Sequence, residues 1–499
     1  MRILINCCIL FLLAVSIPLG AQDFITLSPL QEKGNTDRTY SLMNYDSSGY
    51  YVMRFKKGLS YAELEHHDPT LKIKKTYVVT TQKRKYVGLV NLEGKLSLLY
   101  FRYVENKRDN THERVSLYAI EIQPDSFQLA TDSIELIAPF KMESNFYRVN
   151  FAVSPDRTKV LVYDYEEEGD IDGVQGLSNE ITLRVFDNNL QALWERHVNL
   201  SPDGSAKRSV SIQKLRINNQ GEVAILTDIF RDQRSYSTKE VTADPTLFFV
   251  GKERKNFSLF QPNMGDYFFN QSNFTFDRDG NILWFGFYSK QRYYQQSGTF
   301  FIKINQKRTK VLVKERYDFT PTQMADILNK KRVRPNVEAR SFKLVHWRLT
   351  KDGGIVFSAE QQPGNGLQFR SHDIIAIKIG ATGNMDWLKH VFKHGEEVPR
   401  LKTFLSHYLC AEGSDVYLLY NQGLYADGYA AAVKINAAGE MRLRKFYQYQ
   451  RQQELLCPKL SFRLNDPRIF ICFQDRYFSD YRFGILDLNA LFKEKKKEQ

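Results

Sequence analysis

The sequence lacks the short motifs that mark most catalytic and metal sites. It contains no Gly-x-Ser-x-Gly, no His-Glu-x-x-His and no phosphate-binding glycine loop. Its five cysteines include no Cys-x-x-Cys pair, so a zinc site has no support. Function must therefore be inferred from the fold and from the surface that the fold presents.

Long apolar runs are also absent, apart from one at the N-terminus. Met1-Arg2 precedes an apolar run over residues 3–17, and Pro18-Leu-Gly-Ala21 then offers a small residue before Gln22. This is the layout of a secretory signal peptide over residues 1–21, and the run is too short to span a bilayer comfortably. We expect an exported protein, periplasmic, secreted or at the cell surface, with no transmembrane segment after cleavage. The alternative is an uncleaved anchor.

Three cysteines would remain after cleavage: Cys410, Cys457 and Cys472. Because Cys410 and Cys472 lie in or beside predicted strands, we expect buried free thiols, with one disulfide as the alternative. The chain has 70 basic and 57 acidic residues, a formal net charge of +13. The excess is spread along the chain, apart from a basic C-terminal tail over residues 491–499. It is compatible with a polyanionic partner, but nothing resembles a nucleic-acid motif, and we expect no nucleic-acid partner.

A repeated hairpin carries the fold prediction. A short apolar strand, a turn rich in Asp, Asn and Gly, and a second apolar strand recur about every 60 residues. The turns end at residues 49, 94, 157, 221, 280, 353, 413 and 467. A second hairpin follows inside each of the first seven units, with turns that begin at residues 68, 123, 187, 251, 305, 380 and 436. Two hairpins per unit predict four-stranded antiparallel sheets.

The strand composition predicts that these sheets stack face to face. The second strand of most units is an almost continuous apolar run, as in Ile282-Leu-Trp-Phe285, which is typical of strands buried on both faces. The fourth strands alternate apolar and charged residues, which is typical of an outer edge. Aromatic residues are 13% of the chain, enough to fill wedge-shaped gaps between sheets.

These patterns predict one all-β domain over residues 22–490: a single β-propeller of about eight four-stranded antiparallel blades. Seven blades are the alternative, and two separate β units are a further one. The last unit lacks a fourth strand, and Asp23-Phe-Ile-Thr-Leu27 is strand-like. We expect this N-terminal segment to supply the missing strand and close the ring.

The architecture resembles that of secreted β-propeller proteins of the broad WD40-like and quinoprotein-like class. The Gly-His and Trp-Asp signatures of WD40 repeats are absent, as is the Trp-docking pattern of quinoproteins. The resemblance therefore implies a fold and no specific activity.

In such propellers the loops between the second and third strands share one face with the links between blades, and that face usually carries the binding site. Here four of these loops place Tyr beside Arg, Asn or Gln, a combination suited to stacking and hydrogen bonding. The candidate binding residues are Tyr165, Arg234, Tyr236, Arg292, Tyr293, Tyr294, Tyr425, Tyr429, Arg476 and Tyr477. Packing of the loops against one another is the alternative role for each tyrosine.

Two further segments carry weaker signals. Asp170 and Asp172 lie in an acidic loop that could hold calcium, but the regular ligand spacing is missing, so we expect no metal or other cofactor. The link over residues 317–340 predicts a helix over residues 322–331 behind Pro321, with a basic end that could dock a partner or an anionic ligand.

The histidines indicate no catalytic arrangement. We expect His66 and His67, which precede a turn, at the surface, and His346, His390 and His407 as packing residues in strands. The combined prediction is a non-catalytic binding or scaffold protein of the bacterial cell envelope. We expect it to be a monomer that engages a protein complex or a glycan through propeller-face loops. The alternative is a propeller-type polysaccharide-active enzyme, a glycosidase or lyase, and a quinoprotein dehydrogenase is a distant third.

Overall fold

Eight antiparallel sheets succeed one another along the chain in this computed structural model. The structure describes residues 24–28, 41–46, 48–55, 61–80, 84–105, 112–123, 126–140, 147–166, 178–201, 210–230, 243–253, 258–263, 265, 267–290, 295–334, 337–362, 372–393, 402–424, 427–449, 454–464, 467–475 and 481–493. The predicted eight-bladed all-β propeller is confirmed.

Seven of the blades each consist of four strands in chain order, which we call A to D. Blade 1 contains β2 (Ser41–Asp46), β3 (Gly49–Phe55), β4 (Tyr61–His67) and β5 (Ile73–Thr80). Blade 2 contains β6 (Arg84–Leu92), β7 (Lys95–Glu105), β8 (His112–Ile122) and β9 (Leu129–Phe140). Blade 3 contains β10 (Tyr147–Val153), β11 (Lys159–Glu166), β12 (Glu180–Asp187) and β13 (Ala192–Asn199). Blade 4 contains β14 (Val210–Ile217), β15 (Val223–Phe230), β16 (Ala243–Val250) and β17 (Ser258–Phe260).

The remaining blades include the short extra elements. Blade 5 contains β18 (Phe268–Phe276), β19 (Ile282–Ser289), β21 (Gly298–Ile304) and β22 (Val311–Asp318). Blade 6 contains β24 (Phe342–Leu349), β25 (Ile355–Gln361), β26 (Ile374–Ile379) and β27 (Met385–Val391). Blade 7 contains β28 (His407–Glu412), β29 (Asp415–Gln422), β30 (Tyr429–Ile435) and β31 (Met441–Gln448). Blade 8 contains β32 (Leu455–Leu456), β33 (Phe462–Arg463), β34 (Arg468–Gln474), β35 (Tyr481–Asp487) and β1 (Ile25–Leu27). Outside the blades lie β20 (Gln295–Gln296), β23 (Ala339–Arg340), α1 (Pro321–Ile327), α2 (Lys402–Leu405), α3 (Leu488–Phe492) and a 3-10 turn (Pro458–Leu460).

The ring closes as the N-terminal segment predicts. Strand β1 pairs antiparallel with β35, so that Thr26 lies opposite Ile485. The backbone N–H of Ser28 donates to the carbonyl of Phe483 at 2.9 Å. Blade 8 therefore takes its outer strand from the start of the chain and its other strands from the end, and this pairing covers the edge of β35.

Turn chemistry explains the hairpins. Gly280 ends its turn with a φ of 77°, and Asp277 accepts hydrogen bonds from the backbone of Asp279 and Asn281. In the glycine-free turn of blade 3, Arg157 takes the left-handed conformation with a φ of 60°. The same backbone path is thus reached with a non-glycine residue, at some conformational cost.

The hydrophobic core is divided among the seams between blades. The clusters of buried side chains join neighbouring blades: one cluster pairs Leu64 of blade 1 with Leu98 of blade 2, another pairs Phe285 of blade 5 with Phe357 of blade 6, and a third joins blades 7, 8 and 1. All eight residues of β15 and of β19 are buried. Strands B thus pack on both faces, as their apolar runs predict, and no blade has a complete core of its own.

Strand A lies at the axis and strand D at the rim. The A strands of neighbouring blades contact each other, as β2 does with β6 and β24 with β28. The first five residues of β31, a D strand, are all exposed. The ring therefore places strands A around a central channel, and these strands position the candidate site.

Two expectations need correction. His67 is buried, not at the surface: its Nε2 lies 3.0 Å from Oε2 of Glu65, and its ring packs edge-on against Phe483 of blade 8. The adjacent turn hides it because the turn packs on the neighbouring blade. Helix α1 is also shorter than predicted, because Asn329 adopts a φ of 50° and the N–H of Lys330 closes the helix on the carbonyl of Ala325.

Candidate functional site

All of the long connecting segments lie at one end of the ring. Because the four strands of a blade alternate in direction, the B–C loops and the D–A links share one face, while the A–B and C–D turns share the other. The strand ends that the first group joins form what we call the loop face, and its long connections include those that follow β11, β15, β22, β25 and β27. The strand ends of the second group form the turn face, which carries short turns and the helix α3 (Leu488–Phe492).

The turn face is cross-linked from blade to blade. The N–H of Asp156 donates to Oδ1 of Asn219 at 3.2 Å, and the hydroxyl of Tyr317 donates to the carbonyl of Gly383 at 2.7 Å. Arg308 bridges blades 5 and 4 through Glu222, with its Nη2 3.2 Å from Oε2. These bonds hold the turns against neighbouring blades.

The loop face begins with a recurrent buried polar residue. In blades 4, 6, 7 and 8, strand B carries a side chain of this kind at the same offset from its first buried apolar residue. The four residues are Asp228, Glu360, Asn421 and Gln474. A buried polar group must be bonded, and Glu360 and Asn421 bond to the links between blades.

The most highly charged of these places lies at the seam between blades 6 and 7. Lys393, just after β27, forms an ion pair with Glu360, and its Nζ also donates to the carbonyl of Leu405 in α2. The side chains of Lys393 and Glu360 are each 1% exposed. Nδ1 of His407 lies 3.8 Å from Oε1 of Glu360, while its Nε2 lies 2.7 Å from the hydroxyl of Ser358.

Burial and pairing set the ionisation of this cluster. The ammonium of Lys393 and the ring of His407 hold the pKa of Glu360 well below its usual range, against the opposing effect of burial. Burial lowers the pKa of His407, and it lowers the pKa of His346 to about 3. Glu360 is thus a carboxylate, and His346 is neutral at pH 7. The cluster fixes the link between blades 6 and 7, but it is closed to solvent.

Asn421 forms hydrogen bonds to two neighbouring segments. Its Nδ2 donates to the carbonyl of Phe404 at 2.7 Å, in the link before blade 7, and to that of Leu456 at 2.8 Å, in the first strand of blade 8. The hydroxyl of Tyr449 donates to its Oδ1. One side chain at the end of a B strand therefore positions both neighbouring segments of the loop face.

A buried carboxylate anchors the long link between blades 5 and 6. Glu338 accepts a hydrogen bond from the N–H of Lys290 at 2.9 Å, and others from the hydroxyls of Ser289 and Ser297. Within the link, Met324 and Ile327 of α1 are buried in the seam. The link is therefore held at its helix and at its end, and it presents the intervening residues to solvent.

Those presented residues are basic. Five side chains of the link are exposed and make no ion pair with any residue that the structure describes: Lys330, Lys331, Arg332, Arg334 and Arg340. Their position after the C-terminus of α1 is favourable for cations in any case. They nonetheless give the loop face a positive patch of defined position.

Axial side chains form the inner part of the candidate site. The register shifts within strand A in blades 2, 4, 5 and 6, as between Ile212 and Lys214. Such bulges re-aim side chains. The guanidinium of Arg216 in blade 4 lies 4.6 Å from the ring centre of Trp347, two blades away, and its Nε donates to the carbonyl of Phe274 at 2.6 Å. Side chains of non-adjacent blades therefore meet near the axis.

Side chains of blades 1, 3 and 8 meet near the axis at the turn face. The guanidinium of Arg157 in blade 3 lies 5.5 Å from the ring centre of Tyr45 in blade 1, and Tyr45 stacks on Phe462 at 4.7 Å. Burial raises the pKa of Tyr163, beside the axis, to about 12, and lowers that of Arg216 to about 10. Both groups keep their ordinary charge at pH 7, a neutral phenol and a cationic guanidinium.

Two of the ten predicted binding residues fall in the described part of the chain. Tyr165, near the end of β11, packs partly buried at the seam of blades 3 and 4. Tyr429 begins β30, where Nζ of Lys445 lies 4.0 Å from its ring centre. Both lie at the loop face, but blades 3 and 7 stand on opposite sides of the ring, so these two residues do not share one pocket. The other eight, and Asp170 and Asp172 of the acidic loop, lie outside the described residues.

The sequence analysis did not predict the buried polar residues Glu360, Lys393 and Glu338. A signal existed for Glu360: it ends an apolar B strand at the offset shared with Asp228 and Asn421. Lys393 and Glu338 lie in links of irregular length and had no such signal. The predicted free thiols are confirmed, since Cys410, Cys457 and Cys472 are all buried and unpaired.

Metal-ligating groupings are absent from the described ranges: no three His, Cys, Asp or Glu side chains there are placed to hold an ion. No helix among those same residues is long and apolar enough to cross a membrane.

No protein-family model and no curated protein matches the sequence. Several solved structures resemble the chain. The polysaccharide lyase Uly1 is 10% identical, with a TM-score of 0.41 over 90% of this chain and 89% of the lyase. An ulvan lyase of polysaccharide lyase family 25 is 9% identical, with a TM-score of 0.38 over 79% and 90%. Sqt1 of Chaetomium thermophilum, solved bound to the N-terminus of ribosomal protein L10, is 10% identical, with a TM-score of 0.42 over 91% and 98%. Likenesses this distant carry no inference about activity.

Proposed function

We propose that this protein is a non-catalytic binding or scaffold protein that engages a protein complex or a glycan through the loop face. The observation that carries this is the segregation of the connections. All the long segments lie on one face, on a base of buried polar anchors, while the other face is cross-linked by short turns. A rigid scaffold that varies on one face is suited to binding.

The state of the titratable groups favours binding over catalysis. A general acid or base works best with a pKa near the operating pH and with access to substrate. Burial instead moves the pKa of His346 to about 3 and that of Tyr163 to about 12, and the Glu360 ion pair is closed to solvent. These described groups have structural partners and are not poised for proton transfer.

We further propose that the protein is exported, with cleavage after Ala21, to the periplasm, the cell surface or the medium. Intact mass and N-terminal sequencing of the protein from native cells test this. A mature chain that begins at Gln22 supports export, and an uncleaved Met1 in the cytoplasmic fraction contradicts it.

Affinity capture tests the binding proposal. The tagged mature chain is recovered from native cells after mild cross-linking, beside a variant with Arg234→Ala and Tyr236→Ala in the connection between β15 and β16. A matched control carries Lys351→Ala, an exposed residue of a turn-face hairpin. We expect co-purifying protein or glycan with the wild type and the control, and a strong loss with the loop variant. Equal capture by all three chains, or recovery of the chain alone, contradicts the proposal.

A further inference from the structure

The innermost strands have a charge imbalance much larger than that of the whole chain. The A strands carry eight basic residues: Arg84, Lys85, Arg148, Lys214, Arg216, Lys343, Arg348 and Arg463. They carry two acidic residues, Asp46 and Glu412. The whole chain has 70 basic and 57 acidic residues. The excess is therefore concentrated around the axis.

These charges extend from the loop face inwards. Each A strand follows a link, so it begins at the loop face and ends at the turn face. Arg148 and Lys343 are the second residues of their strands and lie at the mouth, Lys214 lies deeper, and Arg216 and Arg348 lie near the opposite end. Arg148, Lys214 and Lys343 are exposed. The channel thus opens to the loop face through a positively charged mouth.

Four of these cations, Lys214, Arg216, Lys343 and Arg348, form no ion pair with any residue that the structure describes, whereas Arg463 pairs with Glu412. Arg216 is held by a carbonyl and an aromatic ring, and Arg348 lies 5.6 Å from the ring centre of Tyr408. Aromatic faces and carbonyls hold a cation in place but leave its net charge.

Lys214 shows what this environment does to a charge. Its side chain is exposed to solvent, yet burial among protein atoms and the neighbouring Arg216 lower its pKa. An ordinary surface lysine has neither influence. A side chain that reaches solvent but is surrounded by protein atoms lies in a confined space. In such a space the electric field of several like charges is focused, and it attracts an anion.

The geometry favours a slender, ring-containing polyanion. Charges placed at several depths match repeated acidic groups along a chain. Tyr163, which lies near Arg216, is only partly buried and can contact a sugar ring. A flat bilayer cannot reach the recessed Lys214. On the outer surface the exposed Lys330, Lys331, Arg332 and Arg334 continue the positive charge across the same face.

We propose that the loop-face mouth of the central channel binds an acidic polysaccharide, whose carboxylate or sulfate groups contact Lys343 and Lys214. This inference rests on the proposed binding function and names its ligand class. Binding involves ion pairing and ring stacking only, with no covalent step.

The test is calorimetric titration of the mature protein at low and high salt. The probes are oligogalacturonate for carboxylates, heparin-derived oligosaccharide for sulfates, and a maltooligosaccharide as the neutral control. We expect one or both acidic sugars to bind at low salt, the neutral sugar not to bind, and added salt to weaken the affinity. Lys214→Ala with Lys343→Ala should weaken binding about tenfold or more, since both charges proposed to contact the ligand are lost. A double variant Lys214→Arg with Lys343→Arg should keep most of the affinity.

Two controls make the result decisive. Lys351→Ala with Lys307→Ala removes two exposed turn-face charges and should leave affinity unchanged. Thermal unfolding of every variant verifies folding, and the exposed positions make an intact fold the expected result. Failure of both acidic sugars to bind contradicts the inference, as does equal weakening in the turn-face control. Equal or tighter binding of an acidic peptide or of inorganic polyphosphate shows that the ligand class is wrong. If acidic sugars fail while affinity capture still depends on the loop face, the proposed function stands and only this inference fails.

Discussion

Removing one partner of the closed ion pair at the seam of blades 6 and 7 should destabilise the whole ring. In Lys393→Met the carboxylate of Glu360 keeps its burial but loses its main counter-charge, and the carbonyl of Leu405 loses its donor. Breaking a buried pair in this way costs about 3–5 kcal/mol of the free energy of unfolding. Urea titration followed by tryptophan fluorescence measures it.

A matched control separates burial from charge. Lys434 forms an ion pair with Asp415 at 2.6 Å, but both side chains are 27% exposed. Lys434→Met should therefore cost less than about 1 kcal/mol. The double variant Glu360→Leu with Lys393→Met removes both buried charges and should recover much of the loss. If Lys393→Met is no more costly than Lys434→Met, the structural role assigned to the cluster is wrong.

Three further predictions concern closure, pH and packing. Deleting the segment through β1 (Ile25–Leu27) exposes the edge of β35. The variant should form dimers or aggregates in size-exclusion chromatography, and its urea midpoint should be lower. A monomer with an unchanged midpoint contradicts the ring closure. His346, with its pKa lowered to about 3, resists protonation only when folded, so its contribution to stability is lost as pH falls from about 6.5 toward 3, by up to about 1.4 kcal/mol per pH unit. His346→Gln should flatten the dependence of unfolding free energy on pH between 6.5 and 5, and an identical slope would refute this. Gly298→Ala places a Cβ 2.2 Å from the carbonyl oxygen of Tyr317 and should lower the free energy of unfolding by about 1–3 kcal/mol. In the control Gly251→Ala the Cβ meets nothing closer than 3.7 Å, and the change should stay within about 1 kcal/mol. Equal losses in urea titration argue against this packing.

The repeating part of the fold could be predicted from the sequence because it depends on residues that are close together in the chain. A turn such as Asp277–Gly280 needs only its own residues, and an apolar run such as that of β19 indicates burial on both faces. Even ring closure had a local signal, since the eighth unit lacked a strand and residues 23–27 could form one. The degenerate turn ending at Arg157 kept the period although it lacked glycine.

The contacts that build the site join residues that are far apart in the chain, and the sequence did not predict these contacts. Lys393 meets Glu360 only because a D–A link returns over the end of a B strand. His67 beside a turn indicated exposure, but blade 8 covers it. The eight axial basic residues lie in five separate strands, each with one or two of them, and only the ring brings them together. A site assembled from single residues of many repeats has no signature in any one of them.

Hydrogen exchange measured by mass spectrometry, with and without the bound partner or acidic oligosaccharide, tests the central claim most directly. The account predicts slower exchange in the loop-face segments and at the first residues of β10, β14 and β24, with no change in the turn-face hairpins. Protection confined to the turn face or to the outer strands would contradict it.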